Sequence, residues 1–239
     1  MAETVDIRRA PDRFHTTLDW LDAWHSFSFN TWYDPNNIGH GLLIVNNDDV
    51  IAPASGFGTH SHRDMEIVTW VLEGELAHKD SSGGEGIIYP GLAQRMSAGT
   101  GISHSEMNPS PDVPTHSVQM WVLPDTQGIE PGYEQHDVND QLAEGELVAV
   151  ASGTGDGGVR IHQRDATLWA ARPRSDATLK VPDAPRVHVF VTKGSMSVDG
   201  SGESIELNGG DAVRLSDAGE LELTATSDDS EVLIWETAA

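Results

Sequence analysis

The chain of 239 residues contains no cysteine. Disulfide scaffolds, thiolate zinc sites, iron–sulfur clusters and thiol nucleophiles are all excluded by that one absence. Basic residues are scarce: 14 Lys and Arg, only 3 of them Lys, stand against 38 Asp and Glu, for a net charge of −24. Such a polyanion repels phosphates and anionic headgroups, which argues against nucleic acid and membrane surfaces as partners. Long apolar runs are missing as well. GLLIV and EVLIWE fall far below a bilayer span, and the opening MAETVDIRRAPDRF has no apolar signal region. A soluble cytoplasmic protein is expected.

A helical period is also lacking. The best helix candidate is the short stretch TTLDWLDAWHSF at 16–27. What is present is a steady punctuation by 24 Gly and 12 Pro, with 38% apolar residues and 7 Trp to build a core. Between the turns lie runs rich in Val, Ile, Thr and Trp: EIVTWVLEG, EGIIYPG, HSVQMWVLP, GELVAVASG, RVHVFVTKG, DAVRL, ELELTAT and EVLIWE. Short β-rich runs bounded by turn residues read as strands, and many at regular spacing predict an all-β sandwich or barrel, jelly roll among the options.

The pattern repeats. Trp70-Val71-Leu72-Glu73-Gly74 aligns with Phe190-Val191-Thr192-Lys193-Gly194, an offset of 120. Glu75–Gly99 then matches Ser195–Gly219 as strand, Gly/Ser-rich hairpin, strand, tight turn (Pro90-Gly91 or Gly209-Gly210) and strand, with a one-residue slip at the turn. Two copies of one β unit are expected. The division lies in the Pro- and Gly-bearing stretch from Pro124 to Gly145, and the domains are taken as 1–132 and 133–239.

Of 11 histidines, His15, His25, His40, His136 and His162 read as isolated surface or hydrogen-bonded residues. Two pairs differ. His60 and His62 sit in GFGTHSHRDMEIV, and His104 and Glu106 in GTGISHSEMNP. On a strand, residues i and i+2 share a face, so two such strands side by side converge three imidazoles and a carboxylate. Three neutral nitrogens and one anionic oxygen suit a divalent first-row metal and leave positions open for substrate and dioxygen.

These residues carry a resemblance. Gly56-x3-His60-x-His62-x3-Glu66-x7-Gly74 resembles the first cupin motif, and Pro90-Gly91 followed by His104 the second. HSHRDMEIVTWVLEGELAHKDSSG, PGLAQRMSAGTGISHSEMNP, QMWVLP and PGYEQ closely resemble the pirin family, densely from Phe27 to His136 and more thinly beyond. One departure is Thr59-His60-Ser61-His62, where the family commonly carries proline. The resemblance implies two tandem cupin barrels, the second degenerate and metal-free. It implies one divalent metal per chain on His60, His62, His104 and Glu106, Fe(II) first, with Mn, Ni, Co, Cu and Zn taken by the same donors. Glu66 matches a family glutamate outside the ligand set and is expected behind it.

The activity implied is that of a quercetin 2,3-dioxygenase. Glu106 would take the 3-hydroxyl proton of a flavonol, dioxygen would add across C2 and C4, and carbon monoxide would leave as the ring opens. Phe57, Met65 and Met107 are candidate pocket walls. The alternative that the resemblance implies is a redox-sensing regulatory protein acting through a protein partner. Adding 120 to the ligand positions gives Lys180, Pro182, Thr224 and Thr226, which supply no ligand set, and His188 reads as a satisfied core residue.

Overall fold

Each run expected to be a strand contains one: Glu66–Glu73, Glu85–Ile88, Thr115–Val122, Val148–Ser152, Arg186–Lys193, Ala212–Ser216, Leu221–Ala225 and Glu231–Thr237. The computed structural model describes residues 4–200, 203–217, 219 and 221–238. The Ser201-Gly202 turn of the second copy lies outside them. Among the described residues no helix is long and apolar enough to cross a membrane.

The strands form two pairs of sheets. In the first pair, a seven-stranded sheet runs Gly132–Asp137, Leu92–Ser97, Glu66–Glu73, Thr115–Val122, Leu43–Ile51, Leu21–His25, Phe14–Leu18. Its four-stranded companion runs Gly56–His62, Ile102–Met107, Leu76–Asp80, Glu85–Ile88. The second pair repeats this order. Its larger sheet runs Thr4–Arg8, Ala212–Ser216, Arg186–Lys193, Glu231–Thr237, Ala166–Ala171, Val148–Ser152, Val159–Arg160, and its smaller one Thr178–Val181, Leu221–Ala225, Ser195–Gly200, Glu203–Asn208. These are two tandem cupin barrels. Strand pairing crosses the 132/133 division at both ends: Gly132–Asp137 lies against Leu92–Ser97, and Thr4–Arg8 against Ala212–Ser216.

The Glu66–Glu73 strand shows how one sheet serves two cores. Ile67, Thr69 and Val71 face into the first barrel. Val68, Trp70 and Leu72 point the other way, into an apolar layer shared with Phe190, Leu233 and Trp235 of the second half. Burial on both faces explains why EIVTWVLE shows no clean polar alternation. The seam is also tied by polar contacts: Trp70 Nε1 donates to Glu231 Oε1 at 2.7 Å, and Trp235 Nε1 to Met120 Sδ at 3.1 Å.

Three expectations are corrected. The helix candidate at 16–27 is a hairpin, Phe14–Leu18 paired with Leu21–His25. Leu21, Ala23 and His25 are buried while Asp22 is exposed, a two-residue period that a helix cannot satisfy. The offset of 120 holds for Leu76 and Met196 but falls to 119 for their partners Ile88 and Leu207, the slip at the turn, and to 117 for Glu106 and Leu223. By strand pairing, the counterparts of His60, His104 and Glu106 are therefore Val181, Leu221 and Leu223, not Lys180, Thr224 and Thr226. Finally, His188 is buried beside Phe27 and Phe190, but neither of its ring nitrogens has a hydrogen-bond partner.

Candidate metal centre

The Gly56–His62 and Ile102–Met107 strands pair antiparallel, with His60 opposite His104 and His62 opposite Ile102. Between His104 and Glu106 the register shifts, so that Glu106 faces Phe57. The extra residue sits on the Gly56–His62 side, a bulge of the kind that re-aims side chains. Gly56 is needed there: a Cβ would lie 2.2 Å from the Glu106 carbonyl oxygen. The glycine-rich lead-in to the histidines thus lets one backbone pass close to the other.

His60, His62 and His104 come together, with ring centroids 4.3 to 5.0 Å apart and one nitrogen from each within 4.8 Å of the others. His60 Nδ1 faces the Gly58 carbonyl at 2.8 Å, so it must carry the proton and leave the Nε2 lone pair free to ligate. His62 Nε2 and both nitrogens of His104 are buried without partners. Burial, and behind it the charges of neighbouring histidines, lowers the His62 pKa to about 4 and that of His104 to about 3. Both are therefore neutral at pH 7, the form that ligates a metal.

Glu106 belongs to a second group that shares His104 and includes His78. Glu106 is 2% exposed. Gln119 Nε2 donates to Oε2 at 2.7 Å, and Thr69 Oγ1 reaches Oε1 at 3.4 Å. Burial raises the Glu106 pKa, and the Gln119 hydrogen bond opposes that rise. His78 is an addition that the reading of the sequence passed over. Leu76, His78 and Asp80 alternate inward on one strand, and His78 Nε2 lies 3.0 Å from Asp80 Oδ2. Asp80 is itself held by Ser82 and the Gly84 N–H. Burial raises its pKa, but these hydrogen bonds outweigh it and keep the carboxyl below its usual range.

A cavity of about 800 Å³ opens onto His60, His62 and Glu106. Leu21, Phe29, Phe57, Met65 and Trp121 supply apolar wall, while His25, Asn47, Asp49 and Gln119 supply polar wall. Phe57 and Met65 stand where the sequence suggested. Met107 is not part of the lining and is 37% exposed. His25 is buried and hydrogen-bonded, one of the two states expected of it, held by Asn47 Oδ1 at 2.8 Å and Thr16 Oγ1 at 3.0 Å, and it also lines the cavity. Asp49 is buried with Oδ1 unpartnered, and burial, then the charges of Asp48 and Glu106, push its pKa well up. Glu66 accepts from Ser97 Oγ and the His162 N–H, so it braces the seam between the halves.

The donor set fits a divalent first-row metal: neutral imidazoles with free nitrogens beside one buried carboxylate, with no thiolate.

Comparison with known proteins agrees with this architecture. Residues 7–122 match the Pirin family model, and residues 149–237 match the quercetinase C-terminal cupin domain. A Mycobacterium tuberculosis (strain H37Rv) relative, whose name assigns it provisionally to the quercetin 2,3-dioxygenases, is 56% identical over 100% of this chain and 97% of its own length. The Escherichia coli K12 protein named quercetin 2,3-dioxygenase is 39% identical over 97% of this chain and 98% of its own. The crystal structure of the Escherichia coli bacterial pirin YhhW in complex with nickel(II) superposes with a TM-score of 0.88 at 38% identity, covering 99% of this chain and 100% of that one. Matched in both halves, and along its whole length by these relatives, the chain belongs to the pirin family.

Proposed function

We propose that the protein is a mononuclear metal-dependent dioxygenase that opens a flavonol with dioxygen and releases carbon monoxide. His60, His62, His104 and Glu106 hold the metal, Fe(II) being the first candidate, in the first half of the chain. The observation that carries the reading is the convergence of three imidazoles, each with at least one nitrogen free of a hydrogen bond, beside a buried carboxylate, with His60, His62 and Glu106 lining a large cavity of mixed apolar and polar wall. The Escherichia coli relative named for this activity and the nickel-bound neighbour support it.

The apolar wall of Leu21, Phe57, Met65 and Trp121 takes a flat, ring-based substrate and keeps water from it. Gln119 holds Glu106 as a hydrogen-bond acceptor, and Glu106 takes the proton of the substrate's 3-hydroxyl as general base. A bound divalent metal would supply Lewis acidity to steady the resulting anion and the redox contact with dioxygen. The Gly58 carbonyl keeps His60 in one tautomer throughout.

Aerobic turnover of quercetin by the iron-, nickel-, cobalt- and copper-loaded protein, with carbon monoxide measured directly, tests the activity. Metal analysis of His62→Ala and His104→Ala tests the site, and unchanged stoichiometry in both would sink it. A fully loaded protein that leaves every flavonol intact would remove the enzyme reading.

A further inference from the structure

Gln119 and Trp121 lie two apart on the Thr115–Val122 strand, and both line the cavity. An indole N–H only donates, so Gln119 Oε1, 3.1 Å from Trp121 Nε1, must be the acceptor. That leaves the amide one orientation: its nitrogen turns to Glu106 Oε2, 2.7 Å away. The reversed amide would set two donors against each other and a carbonyl against a carboxylate. The same indole packs edge-on against His62, with ring centroids 4.9 Å apart. Trp121 therefore reaches two of the metal-site residues, His62 by its ring and Glu106 through Gln119.

We propose that Trp121 and Gln119 are positioning residues for the reaction: the indole fixes the amide, and the amide holds Glu106 as an acceptor through Oε2, so that Oε1, which Thr69 Oγ1 reaches only at 3.4 Å, is available to metal and substrate. This rests on the reading of Glu106 as ligand and base. Outer residues that orient a metal ligand commonly change metal affinity or activity about 10- to 100-fold.

The test is a double-mutant cycle read on nickel(II) affinity and on flavonol turnover. Gln119→Met keeps length and removes the donor; Trp121→Phe keeps a ring and removes only the N–H. Gln119→Met is expected to weaken nickel(II) binding about 10- to 100-fold and to lower kcat more than it changes KM. Trp121→Phe shifts both in the same direction by less. The double variant matches Gln119→Met alone, because the indole acts through the amide. Additive losses, or a Gln119→Met protein that binds nickel(II) as wild type does, would overturn the proposal. Melting curves of the metal-free variants check folding, and Gln119→Asn, which retracts the amide, takes the place of Gln119→Met if that variant misfolds. A wild type that binds nickel(II) but opens no flavonol defeats the enzyme reading, while the affinity cycle still decides this one.

Discussion

In the first barrel, one row of cross-strand neighbours reads His25, Asn47, Gln119, Thr69, Gln94, Gln135. The equivalent row of the second barrel reads Ala149, Trp169, Ile234, Val189, Val213, Ile7. The scaffold is the same, and the interior is not. Where the first barrel sets His60, His104, Glu106 and His78, the second sets Val181, Leu221, Leu223 and Val198. Those apolar side chains pack into a continuous core that fills the space a cavity occupies in the first half. A barrel of this kind folds with either filling. Chemistry needs buried polar groups, and those carry a desolvation cost that the apolar barrel avoids.

The largest effect is expected from exchanging the fillings. Leu223→Glu places a carboxylate, without a partner, in the apolar barrel and should cost several kcal/mol, enough to unfold the chain or halve its soluble yield. Glu106→Leu, the reverse change, should leave the metal-free protein as stable as before or more so, while metal binding is lost. Urea unfolding of both variants checks the pair. If Leu223→Glu unfolds at the wild-type midpoint, the two interiors are not the opposites described.

Next in size is the division of labour at Glu106. On the proposed reading of Glu106 as ligand and base, Glu106→Gln retains an oxygen able to coordinate but no longer takes the substrate proton. Turnover per bound metal should fall by about 10² to 10⁴. Raising pH, so that the flavonol arrives already deprotonated, should recover part of that loss. Equal activity per bound metal in variant and wild type would remove the base role.

The smallest effect concerns the seam. His188 stands where the first half has Val68, and burial, then the charges of Arg214, His40 and Arg13, hold its pKa well below the usual value. Above about pH 6.5 a neutral His188 carries no titration penalty. As pH falls below that, the unfolded chain takes up a proton that the folded chain refuses. Stability should then drop by up to about 1.4 kcal/mol per pH unit. His188→Val should flatten part of the slope between pH 7 and pH 5 in urea titrations. An unchanged slope would mean that other groups set it.

Much of this is legible in the residues, and what is not has two causes, strand register and an unmarked turn. Runs such as EIVTWVLEG and EVLIWE announce strands through composition, and the repeat emerges because Trp70 and Phe190 do the same packing job on either side of the seam. The paired spacing of His60 with His62 is enough to put both on one face, because a strand has a period of two. His78, Gln119 and Asp49 carry no paired motif: Gln119 stands alone between apolar neighbours, while His78 and Asp49 sit among other polar residues of their strands. Only the register of the neighbouring strands reveals that they meet. Leu76-x-His78-x-Asp80 offered a signal, an inward alternation that ends on two polar groups. The hairpin that occupies most of the 16–27 helix candidate carries no sequence mark, because its Asp19-Trp20 turn has neither glycine nor proline.

The edge strand Thr4–Arg8 carries a consequence for how the molecule is made. Its partner, Ala212–Ser216, emerges from the ribosome about 200 residues later, which at roughly 5–20 residues per second is a wait of about 10–40 s. During synthesis the first barrel can close on its own strands, while the opening segment stays without its sheet until the second barrel is nearly complete.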